Sequence, residues 1–150
     1  YQLDVNCNVV VNNTDGSVVG YKYFNFDGLK KGKTSLDISM KPLGVEGRID
    51  VMIDSPWESK GGKKVGSLTL TKDMPQEVQD IQIALDDLTQ LNGKHAIYLL
   101  FSAEEPNQSL CELYNFTFVT KSDTYNAVIV IALVVVLFLF AALIGKKRKK

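Results

Sequence analysis

An unbroken apolar stretch near the C-terminus most constrains what this 150-residue chain can fold into. Residues Ala127–Ile144 read AVIVIALVVVLFLFAALI, and after one glycine the chain ends in KKRKK, residues 146–150. A helix of this length is about 27 Å long, close to the hydrocarbon thickness of a bilayer. In a single crossing, only a helix satisfies all of its backbone hydrogen bonds without water. We therefore predict one transmembrane helix over residues 127–144.

The charges that flank this stretch predict its orientation. Basic residues stay on the cytoplasmic side of a membrane, so we expect tail 145–150 inside the cell and the N-terminal domain outside it. Tyr125 stands at the outer boundary, where aromatic rings are common. The resulting localisation is the cell membrane, single-pass. The alternative is a tail removed on attachment to a wall or a lipid. No LPxTG-type motif precedes the span, however, and lipid-anchor signals do not normally end in five cations.

The residues before the span are enough for one domain of about 120 residues. The whole chain has 17 basic and 17 acidic residues, but five of the basic residues are in the tail. The outer part therefore carries a net charge of about −5, which argues against nucleic acid and anionic lipid surfaces as its partners. The chain starts at Tyr1 without a secretory signal. We expect it to be the C-terminal part of a longer exported protein.

The outer domain has the pattern of an all-β protein. Apolar and β-branched runs alternate with clusters of Gly, Pro, Asn and Asp, and many runs place their apolar residues on one side, as Ile49, Val51 and Ile53 do. This pattern predicts an antiparallel β-sandwich or jelly roll, with a turn around residues 84–90 and a juxtamembrane linker at 121–126. The eight predicted strands are 5–11, 18–26, 35–40, 48–54, 65–71, 78–85, 96–101 and 112–119.

Two cysteines lie near the two ends of this domain. First and last strands of a sandwich are often neighbours, so Cys7 and Cys111 could form a disulfide in an oxidising compartment. The other interpretation is two buried thiols that behave as small apolar groups. Two cysteines alone do not decide between these interpretations.

The sequence offers no catalytic or metal-binding motif. It contains no HExxH, CxxC, P-loop or GxSxG pattern, and its only histidine, His95, opens an apolar strand. A histidine in that position is usually structural. We therefore predict no catalytic residue, no metal ligand and no cofactor, and no enzymatic activity for this chain by itself.

Aromatic residues make ligand binding a better hypothesis than catalysis. Sugars are recognised by aromatic faces together with amide and carboxylate groups. Trp57 follows Pro56 in a polar loop, where it could either contact a ligand or plug one end of the sandwich. Most of the other aromatics are expected in the core. The candidates at strand ends and loops are Tyr21, Tyr23, Trp57, Tyr98 and Tyr114.

Four segments together resemble the family-6 carbohydrate-binding modules. They are GSVVGYKYFNF (16–26), GRIDVMIDSPWESKGGKKVGSLTL (47–70), GKHAIYLLF (93–101) and ELYNFTF (112–118). Their order and spacing are family-like, and the resemblance covers residues 9–119. It implies a β-jelly-roll that binds plant-type polysaccharide. It also implies an accessory role in a glycoside hydrolase of the family-43 type, acting on xylan or arabinan, whose catalytic domain lies upstream.

The chain departs from the family at the positions that usually hold the sugar. A Tyr, a Trp and an Asn of the family's loop site fall near Asn12, Pro75 and Glu112, and none keeps the family residue. The Asp that helps to hold a structural calcium falls on Tyr114. The predicted carbohydrate-binding residues are Trp57, Asn12, Glu112 and Tyr23. The alternative function is a structural or adhesive spacer with no sugar ligand.

Overall fold

The computed structural model describes residues 2–4, 8–27, 32–86 and 88–122. The predicted membrane span 127–144, the tail 145–150, most of the linker and Cys7 lie outside these residues. The predictions for them therefore stay predictions. Within the described ranges, no helix is long and apolar enough to cross a membrane.

The described chain forms nine strands and one short 3₁₀ turn, Glu58–Lys60. The strands are β1 (Gln2–Asp4), β2 (Val9–Val11), β3 (Val18–Asn25), β4 (Gly32–Pro42), β5 (Gly47–Ile53), β6 (Lys63–Leu70), β7 (Gln79–Ala84), β8 (Lys94–Ala103) and β9 (Cys111–Ser122). They build a five-stranded sheet in the order β1-β2-β9-β4-β7 and a four-stranded sheet in the order β3-β8-β5-β6. All strand pairs are antiparallel. The two-sheet antiparallel sandwich predicted from the sequence is therefore confirmed.

Most connections carry the chain from one sheet to the other. Only β1–β2 and β5–β6 are hairpins within a sheet; every other connection between consecutive strands crosses. Such crossing is typical of jelly rolls, because it places sequence neighbours on opposite sides of one core. It also gathers the loops at the two ends of the sandwich.

The core lies between the two sheets and follows the alternation seen in the sequence. In β5, Ile49, Val51 and Ile53 are at most 1% exposed, and Phe101 from neighbouring β8 and Leu36 from the opposite sheet are fully buried. Burying each such side chain contributes about 1.5–3 kcal/mol relative to leaving it exposed. The residues between them in β5 point to the outer face of the four-stranded sheet.

The structure departs from the predicted strands at three places. The predicted strand 5–11 is described only as Val9–Val11, and a further strand, Gln2–Asp4, precedes it. The strand predicted from residue 35 already begins at Gly32, because it pairs with β9 as far as Ser122. That partner strand also runs two residues into the predicted linker. Near the predicted turn at 84–90, the amide of Leu91 bonds to the carbonyl of Leu88.

Asn13 connects the end of β2 to the start of β9. Its side chain is fully buried, and Nδ2 donates to the carbonyls of Val10 (3.1 Å) and Cys111 (3.0 Å). The backbone carbonyl of Asn13 accepts the amide of Leu110 at 2.9 Å. Through these bonds the buried side chain of Asn13 joins the end of β2 to the start of β9.

The thiol of Cys111 is buried beside this connection. Desolvation raises the pKa of Cys111 from 9.0 to about 12, and the nearby Glu112 charge acts in the same direction, while the hydrogen bond from Asn13 opposes it. Cys111 forms no disulfide within the described residues. The pairing with Cys7 lies outside them.

Under reducing conditions, we expect the free energy of unfolding to fall as pH rises above 9. The unfolded thiol ionises near its ordinary pKa, whereas the folded thiol holds its proton to higher pH. Deprotonation therefore favours the unfolded state by about 1.4 kcal/mol per pH unit from this group. Urea unfolding from pH 8 to 11 measures this pH dependence of the free energy of unfolding. The Cys111→Ala variant is the control for all other titrating groups. Identical slopes in the two proteins would contradict the buried, neutral thiol.

Candidate functional site

The predicted site residues lie at opposite ends of the sandwich. We call the two ends the Asn12 end and the Trp57 end. β5 starts at the Asn12 end, where Gly47 pairs with Ala103 and Leu70, and it finishes at Ile53, just before the Trp57 loop. Gly47 and Ile53 are six residues apart in an extended strand, so the two ends of β5 are about 20 Å apart. Asn12 and Trp57 therefore do not belong to one site.

The Asn12 end contains the three positions that the sequence resemblance assigns to a loop site. Asn13 bonds to Leu110 at the start of β9, so Asn12 and Glu112 lie at the same end, as does the loop with Pro75 between β6 and β7. The order of the chain thus brings these three positions to one end. Asn12 is exposed and has a φ of +58°, a left-handed conformation that Asn tolerates.

Glu112 is held by neighbours on the outer face of the five-stranded sheet. Lys41 Nζ lies 3.8 Å from its Oε1, and the Tyr114 hydroxyl donates to its Oε2 at 2.9 Å. Tyr114 is the residue that the sequence resemblance places at the position of a calcium ligand. The described residues contain no group of three His, Cys, Asp or Glu side chains placed to hold a metal ion.

Tyr23 is 63% exposed in an irregular part of β3. The register against β8 shifts between Tyr21 and Phe24, so two residues of β3 stand opposite one of β8. This places Tyr23 in the half of the sandwich nearer the Trp57 end. It does not line either of the clefts described below.

The loop that carries Trp57 is fixed by its backbone. The Ser55 hydroxyl accepts the Trp57 amide at 3.3 Å, and the Trp57 carbonyl accepts amides from Lys60 and Gly62, each at 3.0 Å. Gly62 allows this closure, because a Cβ there would lie 2.2 Å from the Ser55 carbonyl oxygen. Pro56 is buried beneath the loop. Neither Pro56 nor Trp57 belongs to the core cluster between the sheets.

The indole of Trp57 remains 48% exposed on the fixed loop. The Lys60 ammonium lies 4.7 Å from its ring centroid, a cation–π distance. The ring is therefore presented to solvent in a defined orientation. Large apolar side chains that stay exposed on a rigid loop are common at ligand-binding surfaces.

A cleft of about 340 Å³ opens beside Trp57 on the outer face of the four-stranded sheet. The loop forms one wall, and β5, β6 and β8 provide the floor. The lining combines one aromatic ring, two apolar side chains of the sheet and several charged or hydroxyl groups. It consists of Arg48, Asp50, Met52, Pro56, Trp57, Glu58, Ser59, Lys64 and Leu100.

Asp50 organises the polar floor of the Trp57 cleft. It is only 4% exposed, and Oδ1 accepts the Ser67 hydroxyl at 2.7 Å. Arg48 Nε lies 3.0 Å from Oδ1 and 3.1 Å from Oδ2, and Lys64 Nζ lies 4.0 Å from Oδ1. A buried carboxylate needs such partners, since desolvating an unpaired charge costs several kcal/mol. The network fixes Arg48 and Lys64 at the cleft.

A second cleft, of about 400 Å³, lies on the same sheet at the Asn12 end. Arg48 lines both clefts and therefore stands between them. The second cleft has two carboxylates and no aromatic ring. Its lining is Glu46, Gly47, Arg48, Thr69, Leu70, Thr71, Ser102, Ala103 and Glu104.

His95 has a structural arrangement. Its Nδ1 lies 2.9 Å from Asp54 Oδ1, its Nε2 lies 3.1 Å from the Asn92 carbonyl, and its ring packs edge-on against Phe26. In a His–Asp catalytic pair, the second ring nitrogen faces a nucleophile or a substrate. Here a backbone carbonyl takes that place, which agrees with the structural role expected from the sequence.

Arg48, Asp50 and Lys64 line the Trp57 cleft but are not among the residues predicted from the sequence, whereas Trp57 is. The signal for the first two was the alternation in β5, whose apolar residues define a core side and hence a second, outward side. No signal in the sequence joins them to Lys64 and Ser67, which come from the neighbouring strand.

No protein-family model matches the chain, and no curated protein has significant sequence similarity to it. Solved structures are similar in fold. One is a glycoside hydrolase family 43 arabinoxylan arabinofuranohydrolase from Bacillus subtilis, in complex with cellotetraose, at TM-score 0.59 and 20% identity. The similarity covers 78% of this chain but only 22% of that enzyme.

Two family-6 carbohydrate-binding modules are also similar. The module from Clostridium cellulolyticum, in complex with xylose, has TM-score 0.54 and 23% identity over 74% of this chain and 78% of its own. A β-1,3-glucan-binding module from Bacillus halodurans has TM-score 0.56 and 21% identity, over 76% of each chain. The described domain therefore has the fold of the family-6 carbohydrate-binding modules.

Proposed function

We propose that the outer domain is a non-catalytic carbohydrate-binding domain that takes its saccharide in the Trp57 cleft. The observation that carries this proposal is the half-exposed indole, held on a fixed loop beside a cleft with a polar floor. A sugar ring presents C–H groups on its faces and hydroxyls on its rim. An aromatic face beside hydrogen-bonding groups therefore suits both parts of the ligand.

The fold supports the same ligand class. The two similar modules are described as bound to xylose and as binding β-1,3-glucan. We extend this to a plant-type polysaccharide of the xylan or arabinan type. The similar arabinoxylan arabinofuranohydrolase supports that choice.

We further propose that the domain is the accessory part of a cell-surface glycoside hydrolase. Its catalytic domain would lie upstream in the same polypeptide, and the helix over 127–144 would anchor it in the cell membrane. Such an arrangement keeps the enzyme close to both polysaccharide and cell. The apolar composition of 127–144 and the basic tail support the anchor.

Isothermal titration calorimetry tests the sugar-binding proposal. The full chain, kept in a sugar-free nonionic detergent, is titrated with xylotetraose, arabinotetraose, cellotetraose and a β-1,3-glucan tetrasaccharide. We expect saturable binding to at least one of them, with Kd on the order of 1 mM, because one indole and a few hydrogen bonds provide most of the contact. Absence of heat with every ligand, on a chain whose circular dichroism shows folded β-structure, would contradict the proposal.

The structure of the Asn12 end favours a spacer as the second candidate function. The positions of the family's loop site carry other residues there, and Glu112 is engaged by Lys41 and Tyr114. A domain with no sugar site would still separate an upstream domain from the membrane. The absence of heat described above is the result that this candidate predicts.

A further inference from the structure

Arg48 is the side chain around which the charges of the outer face are arranged. It leaves β5 on the outer face, its side chain is 51% exposed, and it lines both clefts. Within the described part of the chain, the guanidinium uses only Nε, which pairs with Asp50. Among the described residues, neither Nη atom has a hydrogen-bond partner. Both Nη nitrogens of the planar guanidinium, with four N–H donors between them, therefore remain for a ligand.

The buried carboxylate of Asp50 fixes this guanidinium. The Ser67 hydroxyl donates a hydrogen bond to Asp50 Oδ1 at 2.7 Å. The same oxygen lies 3.0 Å from Arg48 Nε and 4.0 Å from Lys64 Nζ. Arg48 Nε and Lys64 Nζ are thus at most 7 Å apart. A guanidinium clamped through Nε needs little further ordering when a ligand binds its Nη atoms, which lowers the entropic cost of binding.

The charges around the Trp57 cleft do not cancel. Arg48 and Lys64 line it, and Lys60 lies over the Trp57 ring. The acids of the lining are Asp50, whose charge already faces two cations, and Glu58. The charged lining residues are thus two cations and two carboxylates, and Lys60 adds a third cation at the edge of the cleft, in an outer domain that is acidic as a whole. This local excess of positive charge favours a negatively charged ligand.

We propose that the Trp57 cleft takes an acidic saccharide, with the carboxylate of a uronic acid residue bound by the two Nη groups of Arg48. The proposal rests on the sugar-binding function proposed above and names the class of sugar. Arg and carboxylate are both planar, so two parallel N–H···O bonds form without distortion. The C–H face of the same sugar ring packs on Trp57, and Lys64 stands next to the bound carboxylate.

A matched pair of ligands tests this assignment. The full chain is titrated with a xylo-oligosaccharide that carries one glucuronic acid and with the methyl ester of the same compound, which keeps the size and removes the charge. We expect the free acid to bind about tenfold more tightly than the ester. In Arg48→Gln, the ratio of the affinities for acid and ester should fall to about one. In Arg48→Lys it should fall to an intermediate value, because charge is kept and the planar fork is lost.

The outcomes separate this proposal from the sugar-binding function. If acid and ester bind equally well, the acidic-sugar assignment fails and sugar binding stands. If neither binds, sugar binding fails as well. An acid preference that survives in a folded Arg48→Gln would overturn the role of Arg48. If a sulfated oligosaccharide of the same length and charge binds as tightly as the uronic acid compound, the assignment of a carboxylate as the bound group fails. Arg48→Lys keeps an ion pair to Asp50, so it tests the site even if the glutamine variant is unstable.

Discussion

Trp57→Ala is expected to weaken saccharide binding more than tenfold while changing the free energy of unfolding by less than about 0.5 kcal/mol. The indole is 48% exposed, and the loop is held by Ser55, by backbone hydrogen bonds of Lys60 and Gly62 and by buried Pro56. The substitution therefore removes the stacking face and leaves the loop. Calorimetric titration with the tightest oligosaccharide measures the first effect, and urea unfolding measures the second.

Two variants control this experiment. Trp57→Phe keeps a smaller aromatic face and should keep part of the affinity. Tyr23→Ala removes another exposed ring, 63% exposed but outside the cleft, and should bind as the unchanged protein does. Unaltered binding by Trp57→Ala would place the ligand elsewhere. A loss of 2 kcal/mol or more in stability would instead show that the indole helps to close the sandwich.

The core of the sandwich could be predicted from the sequence because it depends on local alternation. Ile49, Val51 and Ile53 are separated by single residues, and any antiparallel sheet with one face in the core buries such a set. The polar floor on the other side of β5 could not be predicted in the same way. Asp50 meets Ser67 only because β5 and β6 pair in one register, which a single sequence does not show.

The placement of the predicted site residues at two different ends of the sandwich could not be predicted for a similar reason. Trp57, Asn12 and Glu112 are all near strand ends in the sequence, but strand ends alternate between the two ends of a sandwich. The loop after β5 lies at one end, and the starts of β3 and β9 lie at the other. The end that each loop reaches follows from the strand pairing, which the sequence resemblance does not give.

Pairing also explains the strand that begins at Gly32. Glycine and lysine are poor strand formers, so the residues around 30–33 predict a turn. The ladder with β9 nevertheless continues to the pair Gly32–Ser122. Backbone hydrogen bonds to an already extended partner outweigh a local preference of a few tenths of a kcal/mol. The boundary of such a strand is a property of two segments 90 residues apart.

Asn13→Asp is expected to be among the most destabilising single substitutions in the domain, by about 3–5 kcal/mol at neutral pH. The Asn13 side chain is fully buried, and its Nδ2 donates to the carbonyls of Val10 and Cys111. The aspartate places a carboxylate oxygen where that donor was, about 3 Å from two carbonyl oxygens. Two buried acceptors lose their donor, and a charge is buried among them.

The loss should depend on pH in a defined direction. Burial and the two carbonyls raise the pKa of the new carboxyl above its ordinary value near 4, so the folded state binds a proton that the unfolded state has released. The folded variant therefore loses stability as pH rises above about 4, until the folded carboxyl also ionises. Below pH 4 the protonated acid again offers a donor, and the difference from the unchanged protein should be smallest there.

Asn12→Asp is the matched control, because it makes the same change one residue earlier. Residue 12 is exposed, and Asp tolerates its φ of +58°, so its free energy of unfolding should change by less than about 1 kcal/mol with little dependence on pH. Urea unfolding of both variants from pH 3.5 to 8 makes the comparison. If the two curves coincide, Asn13 Nδ2 is not the donor that holds β2 to β9, and the corner must be stabilised by the Leu110 amide bond alone.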